Sequence, residues 1–319
     1  MSETILSVRK LRVVFPNRHG SLIPIDNLSF EVNRGEILGF VGESGAGKSM
    51  TGSAIIGLIE PPGYIDKGEI WLENDRIDQL PIGKANHIRG RRISMVFQDP
   101  LTSLNPLKKI GDQLIETIIA HLPLNNKQAK IKALNCLKEV GIDSNRFDSY
   151  PHEFSGGMRQ RVVIALALSA EPDLIIADEP TTALDVAVQE QVLKILKNIC
   201  KKHNASVILI THDMGVIAET TDRVAVMYAG RLVEIGKTEE ILKKPKHPYT
   251  IGLISSTPSV EDGDIATELY QIKGTMPRLD SLPKGCSFNP RCEKAIDMCK
   301  ELKPELLDNG VACWLFKNE

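Results

Sequence analysis

The chain lacks any apolar run long enough to cross a bilayer. Its longest apolar stretches, RVVIALALSA and ASVILI, fall well short of the roughly 18 to 20 residues that a membrane helix needs. The polar start, MSETILSVRK, also lacks the apolar core of a signal peptide. We therefore expect the protein to stay in the cytoplasm.

An excess of charge of either sign is absent as well. The formal net charge is −2 over 319 residues, and acidic and basic side chains are interspersed. Proteins that neutralise nucleic-acid phosphates or anionic lipid heads carry clustered basic residues, so nucleic acid is not an expected partner. With 42% hydrophobic and 25% charged residues, the composition fits one large globular domain with a small appendage.

The paired Cys-x₂-Cys spacing of common zinc ribbons is also missing, although four of the six cysteines follow residue 285. A reducing cytoplasm disfavours structural disulfides. Four thiolates in a short, loop-rich tail predict either a tetrahedral zinc site or a four-iron, four-sulfur cluster, and ligand chemistry is compatible with both. The predicted ligands are Cys286, Cys292, Cys299 and Cys313.

A glycine-rich turn between an apolar strand and an apolar helix is the clearest feature that is present. It lies in EILGFVGESGAGKSMTGSAIIGLI and fits G-x-x-x-x-G-K-[ST], in which backbone N–H groups and a helix N-terminus bind phosphate. A chance glycine-rich turn is disfavoured by the flanking strand and helix. Lys48 is expected to reach the β- and γ-phosphates of a nucleotide, and Ser49 to bind Mg²⁺. The predicted nucleotide-binding residues here are Gly42, Glu43, Ser44, Gly45, Ala46, Gly47, Lys48, Ser49 and Met50.

Two adjacent carboxylates end a second apolar strand, in PDLIIADEPTTALD. Strand alternation points Asp178 and Glu179 in opposite directions, which predicts different roles. We expect Asp178 to hold Mg²⁺ through water and Glu179 to act as general base on the attacking water. A solvated acidic strand end is the alternative interpretation.

A third strand, SVILI, is followed by THD, so His212 should lie at the same end of a parallel sheet as the carboxylates. Contact with a γ-phosphate and a purely structural role are equally compatible with this position.

A second candidate anion site lies in YPHEFSGGMRQRVVIALAL, where Ser155 is a possible N-cap and Gly156 and Gly157 begin an apolar helix. One nucleotide does not need two such helix starts from the same subunit. We therefore expect residues 155–157 to contact the γ-phosphate of ATP held by another copy, in a head-to-tail dimer.

Five segments in this order, GESGAGKS, FSGGM, LIIADE, TALD and THD, resemble the ATPase subunits of ABC transporters over essentially the whole chain. The resemblance implies that Gln98, in MVFQDP, senses Mg²⁺ and the attacking water and links the catalytic core to a helical subdomain. It also implies that Phe15 stacks on adenine, although a strand-core phenylalanine is the alternative, and that Asp185 of TALD belongs to the nucleotide site. Phe154 and Met158 depart from the general LSGGQ pattern, and this departure is interpreted as a subfamily trait.

The segments FQDPLTSLNPLKKIGDQ, DEPTTALDVAVQEQVL and KHPYTIGLISSTP closely resemble the ATPase subunits of oligopeptide and dipeptide importers. Nickel and glutathione importers have similar segments, so the resemblance does not decide which substrate is transported. The resemblance implies a peripheral protein on the cytoplasmic face of the membrane. The implied partners are a homologous ATPase subunit in a heterodimer, two transmembrane permease subunits and an extracytoplasmic solute-binding protein. In such subunits a C-terminal cysteine cluster is associated with iron and sulfur, which favours a 4Fe-4S cluster over zinc.

The expected fold is α/β, with a P-loop ABC ATPase core and a small cysteine-rich C-terminal extension. The core should comprise a mixed sheet with a RecA-like nucleotide-binding subdomain, an antiparallel β layer and a helical subdomain. Residues 1–250 are predicted to form the ATPase domain, with the helical subdomain at about 99–171, and residues 251–319 the extension. A DNA-linked ABC ATPase is the rival interpretation, but the long heptad repeats that it requires are absent.

Overall fold

The computed structural model describes residues 3–18, 20–182, 184–257 and 270–317. These residues form two compact units. The first unit takes its described residues from 1–6, 32–37 and 72–210, and the second from 7–31, 38–71 and 211–319. Part of the predicted extension, residues 258–269, lies outside the described residues, as does Ala183 of the TALD motif.

Strands and helices alternate along most of the chain. The strands are β1 Thr4–Asn17, β2 Gly20–Asn33, β3 Ile37–Val41, β4 Tyr64–Leu72, β5 Asp75–Arg76, β6 Ile93–Val96, β7 Leu174–Asp178, β8 Ser206–Ile210, β9 Arg223–Tyr228 and β10 Arg231–Lys237. The helices are α1 Lys48–Ile56, α2 Ile82–Ile88, α3 Pro100–Ser103, α4 Ile110–His121, α5 Asn126–Glu139, α6 Gly156–Leu168, α7 Val186–His203, α8 Met214–Thr220, α9 Thr238–Lys243, α10 Pro248–Ser255 and α11 Asp297–Glu301. Within the described ranges, no helix is both long enough and apolar enough to cross a membrane.

The first unit contains three parallel strands in the order β8-β7-β6. All five residues of β7 and of β8 are buried, as expected for parallel strands covered on both faces. Asp178 is the last residue of β7 and lies opposite Ile210. The parallel register therefore places the predicted carboxylates at the carboxyl end of these strands.

Within residues 99–171, where a helical subdomain is predicted, the first unit contains helices α3 to α6. Ile110, Leu114 and Ile118 of α4 are buried and recur every four residues, which gives the helix one apolar stripe. Helix α5 begins with a capping box, in which the side chains of Asn125 and Gln128 each accept a hydrogen bond from the other's backbone N–H. Helices α4, α5 and α6 pack against one another.

In the second unit, β3 runs parallel to β9, and β9 pairs antiparallel with β10. In a separate sheet, β1 lies between β2 and β4. Apolar side chains of β3, α8 and β9 form a buried cluster that includes Val41, Ile217 and Val226. This cluster holds β3 firmly, and β3 leads directly into the glycine-rich turn.

The C-terminal segment, residues 270–317, has little regular structure and packs onto the second unit, to which it belongs. Backbone N–H groups of Ile235 and Ala312 donate to the carbonyls of Gly310 and Val233, each at 2.8 Å. These bonds attach residues 310–312 to β10. Phe288 adds an aromatic anchor, since its ring lies 5.2 Å from that of Tyr228, centroid to centroid.

Candidate nucleotide-binding site

The glycine-rich turn, residues 42–49, is called the phosphate loop below. Gly42 and Gly47 have φ angles of 149° and 104°, in the region that favours glycine. A Cβ on Gly42 would lie 2.3 Å from the carbonyl oxygen of Met227, and one on Gly47 would lie 2.5 Å from that of Pro24. Neighbouring backbone therefore leaves room at both positions for glycine only.

Lys48 lies folded over this loop. Its ammonium donates hydrogen bonds to the carbonyls of Gly42 at 2.7 Å and Glu43 at 3.1 Å, and the residue is only 6% exposed. Helix α1 begins at Lys48 and has no acidic residue in its first turn. The positive end of the helix dipole therefore faces the loop without a carboxylate in the helix's own first turn, which favours a bound phosphate.

Other parts of the second unit support the phosphate loop from outside. The N–H of Gly230 donates to the carbonyl of Ala46 at 2.9 Å, and the N–H of Glu43 donates to the Tyr249 hydroxyl at 2.8 Å. The C-terminal segment also reaches the loop, because a Cβ on Gly45 would lie 2.8 Å from Cε of Met276. Sequence reasoning assigned no role to Tyr249 or Met276.

Gln98 and Glu179 are brought into direct contact within the first unit. The Gln98 amide donates to Oε2 of Glu179 at 3.0 Å, and the Thr182 hydroxyl donates to the same oxygen at 2.8 Å. Glu179 has a φ of 46°, a costly conformation for a residue other than glycine and one often found at functional sites. Asp178, only 7% exposed, precedes it at the end of β7.

The predicted second anion site also lies in the first unit. Ser155 caps α6, since its hydroxyl accepts from the N–H of Met158 at 3.4 Å. Ser155 and Gly156 are exposed, whereas a Cβ on Gly157 would lie 2.3 Å from Cγ1 of Val188. Phe154 is 3% exposed, so this departure from the general pattern fills an apolar core position.

Asp185 has a capping role in the structure. Its side chain accepts a hydrogen bond from the N–H of Val188 at 3.0 Å and so caps α7. Residues 155–157, Gln98, Asp178, Glu179 and Asp185 all belong to the first unit.

Phe15, the phosphate loop and His212 belong to the second unit. The N–H of Thr211 donates to the carbonyl of Phe40 at 3.1 Å, which places the exposed His212 beside the end of β3. Phe15 is half-buried, and a Cβ on Gly63 would lie 2.4 Å from its ring. Within the loop, Ser44 and Ser49 are exposed, and Met50 is half-buried.

The four C-terminal cysteines line one small cavity, the four-cysteine cavity, together with side chains such as His247 and Trp314. The pKa of Cys286 is raised to about 11, mainly by burial and in part by the neighbouring thiols. Among the described side chains, no group of three or more His, Cys, Asp or Glu residues is arranged to hold a metal ion. The donor chemistry is compatible with a metal centre, but the positions of the described thiols support neither the predicted iron-sulfur cluster nor the zinc alternative.

Two family models match the chain. A family model described as "ABC transporter" matches residues 25–182, and one described as "Oligopeptide/dipeptide transporter, C-terminal region" matches residues 233–299. The first range contains the phosphate loop and both carboxylates. The second contains Cys286, Cys292 and Cys299, whereas Cys313 lies beyond it.

The chain is 45% identical to the oligopeptide transport ATP-binding protein AppD of Bacillus subtilis, over 99% of this chain and 98% of that protein. It is 46% identical to the dipeptide transport ATP-binding protein DppD of the same species, over 98% and 95%. Among solved structures, it is similar to the ATP-binding cassette MJ0796 in a dimeric post-hydrolysis state bound to ADP and Pi, with 26% identity and a TM-score of 0.67. That match covers 73% of this chain and 98% of the other.

Proposed function

This chain belongs to the family of ATP-binding subunits of ABC transporters, and from that membership we propose that it is the ATP-hydrolysing motor of an oligopeptide or dipeptide importer. Its fold is that of a P-loop ABC ATPase, which uses ATP and Mg²⁺. The observation that carries the peptide assignment is the identity of about 45% to peptide-transport subunits over almost the entire chain.

In the proposed mechanism, the predicted residues bind ATP and Mg²⁺ and activate the attacking water. The phosphate loop binds ATP, with Lys48 neutralising phosphate charge and Ser49 and Asp178 holding Mg²⁺. Glu179 takes the proton of the attacking water, and the amide of Gln98, 3.0 Å away, fixes the orientation of that carboxylate.

The remaining proposed site residues frame the nucleotide. Phe15 stacks on adenine, and His212 contacts the γ-phosphate. Residues 155–157 complete the site of a partner ATPase, which is supported by the exposure of Ser155 and Gly156. ATP then closes the ATPase dimer, and hydrolysis reopens it.

The proposed assembly contains a homologous ATPase, two permease subunits and an extracytoplasmic solute-binding protein, with this chain peripheral on the cytoplasmic face of the membrane. Residues 1–250 form the motor domain, in which the helical part at about 99–171 receives the permease. Residues 251–319 form an extension.

Transport by the assembled complex tests this function. The complex is purified through a tag on this chain and reconstituted with its solute-binding protein in vesicles, and ATP-dependent uptake of labelled dipeptides and oligopeptides is measured. Lys48→Ala is the control, because it removes the phosphate-loop cation and should abolish uptake. Uptake of nickel or glutathione instead of peptides would contradict the peptide cargo but keep the motor role. A complex that hydrolyses ATP without any uptake would contradict the importer.

We also propose that the four-cysteine cavity holds a metal centre, with a 4Fe-4S cluster preferred over zinc. The shared cavity and the thiol donors support this proposal. The full chain is purified anaerobically and assayed for iron, acid-labile sulfide and zinc. About four iron and four sulfide per chain, lost in Cys292→Ser, are expected for the cluster. Stoichiometric zinc without sulfide would replace iron with a structural zinc site, and the absence of both would contradict the centre.

A further inference from the structure

The phosphate loop carries a carboxylate, Glu43, as the second of its eight residues. A negative charge at this position repels the phosphates that the loop binds, and the repulsion is strongest where solvent screening is weak. Nucleotide binding therefore requires that the Glu43 carboxylate either points away from the phosphates or is neutralised by a cation. The structure provides a partner.

Arg291 of the C-terminal segment forms a bidentate ion pair with Glu43. Its Nη1 lies 2.8 Å from Oε2 and its Nη2 lies 2.9 Å from Oε1 of that carboxylate. The Arg291 side chain is only 6% exposed and that of Glu43 is 28% exposed. Fork-to-fork pairs of this kind are among the strongest hydrogen-bonded ion pairs in proteins.

The guanidinium of Arg291 is also fixed from other directions. Its Nε donates to the carbonyl of Lys273 at 2.9 Å, and Nη1 lies 3.3 Å from the Tyr228 hydroxyl. It lies over the rings of Tyr228 and Phe288, at 5.8 Å and 5.9 Å from their centroids. Arg291 is thus held in place before any nucleotide arrives.

Other ion pairs of the C-terminal segment differ in kind. The Arg278–Asp280 pair has a single contact at 3.0 Å, and the Arg278 side chain is 83% exposed. Such an exposed pair contributes little to stability. Burial and bidentate pairing thus distinguish Arg291 from Arg278, the other arginine of the same segment.

We propose that Arg291 is a positioning residue of the nucleotide site, which neutralises Glu43 and orients the phosphate loop for ATP. The C-terminal segment thereby contributes to ATP affinity through a residue that makes no contact with the nucleotide itself. This role rests on the ATPase function of the chain, and it requires neither a metal centre nor a particular cargo.

The test compares nucleotide binding by four full-length variants: Arg291→Ala, Glu43→Gln, the double variant and the control Arg278→Ala. Affinity for Mg-ATP, Mg-ADP and adenosine is measured by titration calorimetry on the purified chain. Arg291→Ala should weaken ATP binding about tenfold, since it leaves the Glu43 carboxylate unpaired beside the phosphates. The loss should shrink for ADP and vanish for adenosine, because the repulsion scales with phosphate charge.

In the Glu43→Gln background, removal of Arg291 should cost no further ATP affinity, so the double variant should bind ATP like Glu43→Gln, because no carboxylate is left to neutralise. A purely structural Arg291 predicts the opposite, with the double variant as weak as Arg291→Ala and an equal loss for all three ligands. That pattern, or an unchanged ATP affinity in Arg291→Ala, would overturn the proposal. Arg278→Ala should behave as wild type.

Two further measurements control for loss of folding in the variants. Melting temperature is recorded for every variant, and Arg291→Lys, which keeps the charge, should bind ATP within about threefold of wild type. If Arg291→Ala does not fold, Arg291→Gln is compared with Arg291→Lys, and equal ATP affinity in these two variants would contradict the neutralising role, because only the lysine keeps the charge. A wild-type chain that binds no ATP would contradict the ATPase function rather than the role of Arg291.

Discussion

At the scale of single residues, the carboxylate of Glu179 receives two hydrogen bonds on one oxygen. The donors are the amide of Gln98 and the hydroxyl of Thr182, at 3.0 Å and 2.8 Å. A carboxylate fixed in this way has a defined direction, as a general base requires. The Thr182 hydroxyl therefore helps to fix this carboxylate.

Replacement of Glu179 by glutamine should separate binding from hydrolysis. Glu179→Gln keeps the size and the polarity of the side chain but removes the proton acceptor, so ATP binding should persist while turnover falls by about 10²- to 10⁴-fold. ATP binding and phosphate release are measured in the assembled complex. Glu171→Gln, which alters a glutamate paired with Lys132, is the control and should turn over normally. Full turnover in Glu179→Gln would exclude Glu179 as the base.

At the scale of elements, the start of α6 has two glycines with different surroundings. A Cβ on Gly157 would meet Cγ1 of Val188 in α7 at 2.3 Å, whereas one on Gly156 would meet no atom within 4 Å. Gly157 therefore sets the distance between the two helices. Gly156, in contrast, lies exposed at the surface.

Alanine at these two positions should affect different properties. Gly157→Ala should lower the free energy of unfolding by about 1 to 3 kcal/mol through overpacking, and Val188→Ala in the same chain should recover most of the loss. Gly156→Ala should unfold like wild type, yet lower ATP hydrolysis if its backbone contacts the partner's nucleotide. Denaturant unfolding and ATPase assays distinguish these outcomes, and equal stability of the two single variants would refute the packing role.

Helix α10 begins with a buried histidine cap. Nδ1 of His247 accepts the N–H of Tyr249 at 3.0 Å, and the residue is 2% exposed. Burial lowers the pKa of His247 to about 3, from an ordinary value of about 6.5. The unfolded chain therefore takes up a proton near its ordinary pKa, while the folded chain does so only near pH 3.

This histidine should make the protein less stable in mild acid. Its contribution is complete above pH ~6.5 and is lost as the pH falls towards about 3, by at most about 1.4 kcal/mol per pH unit. His247→Asn keeps a capping acceptor without a titrating group. Between about pH 7 and pH 5.5, wild type should lose about 1 kcal/mol more unfolding free energy than His247→Asn in urea titrations. Parallel losses in the two proteins would show that His247 is not responsible.

At the scale of the whole molecule, the exposed start of α6 predicts association that depends on ATP. In Glu179→Gln, which should retain ATP, light scattering after size exclusion should detect a complex with the homologous ATPase, or with a second copy if the motor is a homodimer. Adding Gly156→Asp places a negative charge where a γ-phosphate is expected and should prevent association without lowering the melting temperature. Association that survives Gly156→Asp would refute the proposed role of residues 155–157.

Local patterns predicted much of this architecture. The phosphate loop was visible because an apolar strand, closely spaced glycines and a helix follow one another, and α4 and α5 because their apolar residues recur at helical spacing. The sequence could not predict the pair between Glu43 and Arg291, which are 248 positions apart, because neither residue has a distinctive local pattern. It also did not reveal the capping role of Asp185 or the φ of Glu179, since these follow from tertiary contacts and local backbone geometry.

The attachment of residues 310–312 to β10 has a consequence for solubility. Among the described strands, β10 pairs with β9 alone, so its other side would be an open strand edge without these residues. Exposed edges recruit strands from other molecules and promote aggregation. A chain cut after residue 257 should therefore expose this edge and precipitate, even with its phosphate loop intact. The cysteine-bearing tail thus keeps copies of the motor from aggregating with one another.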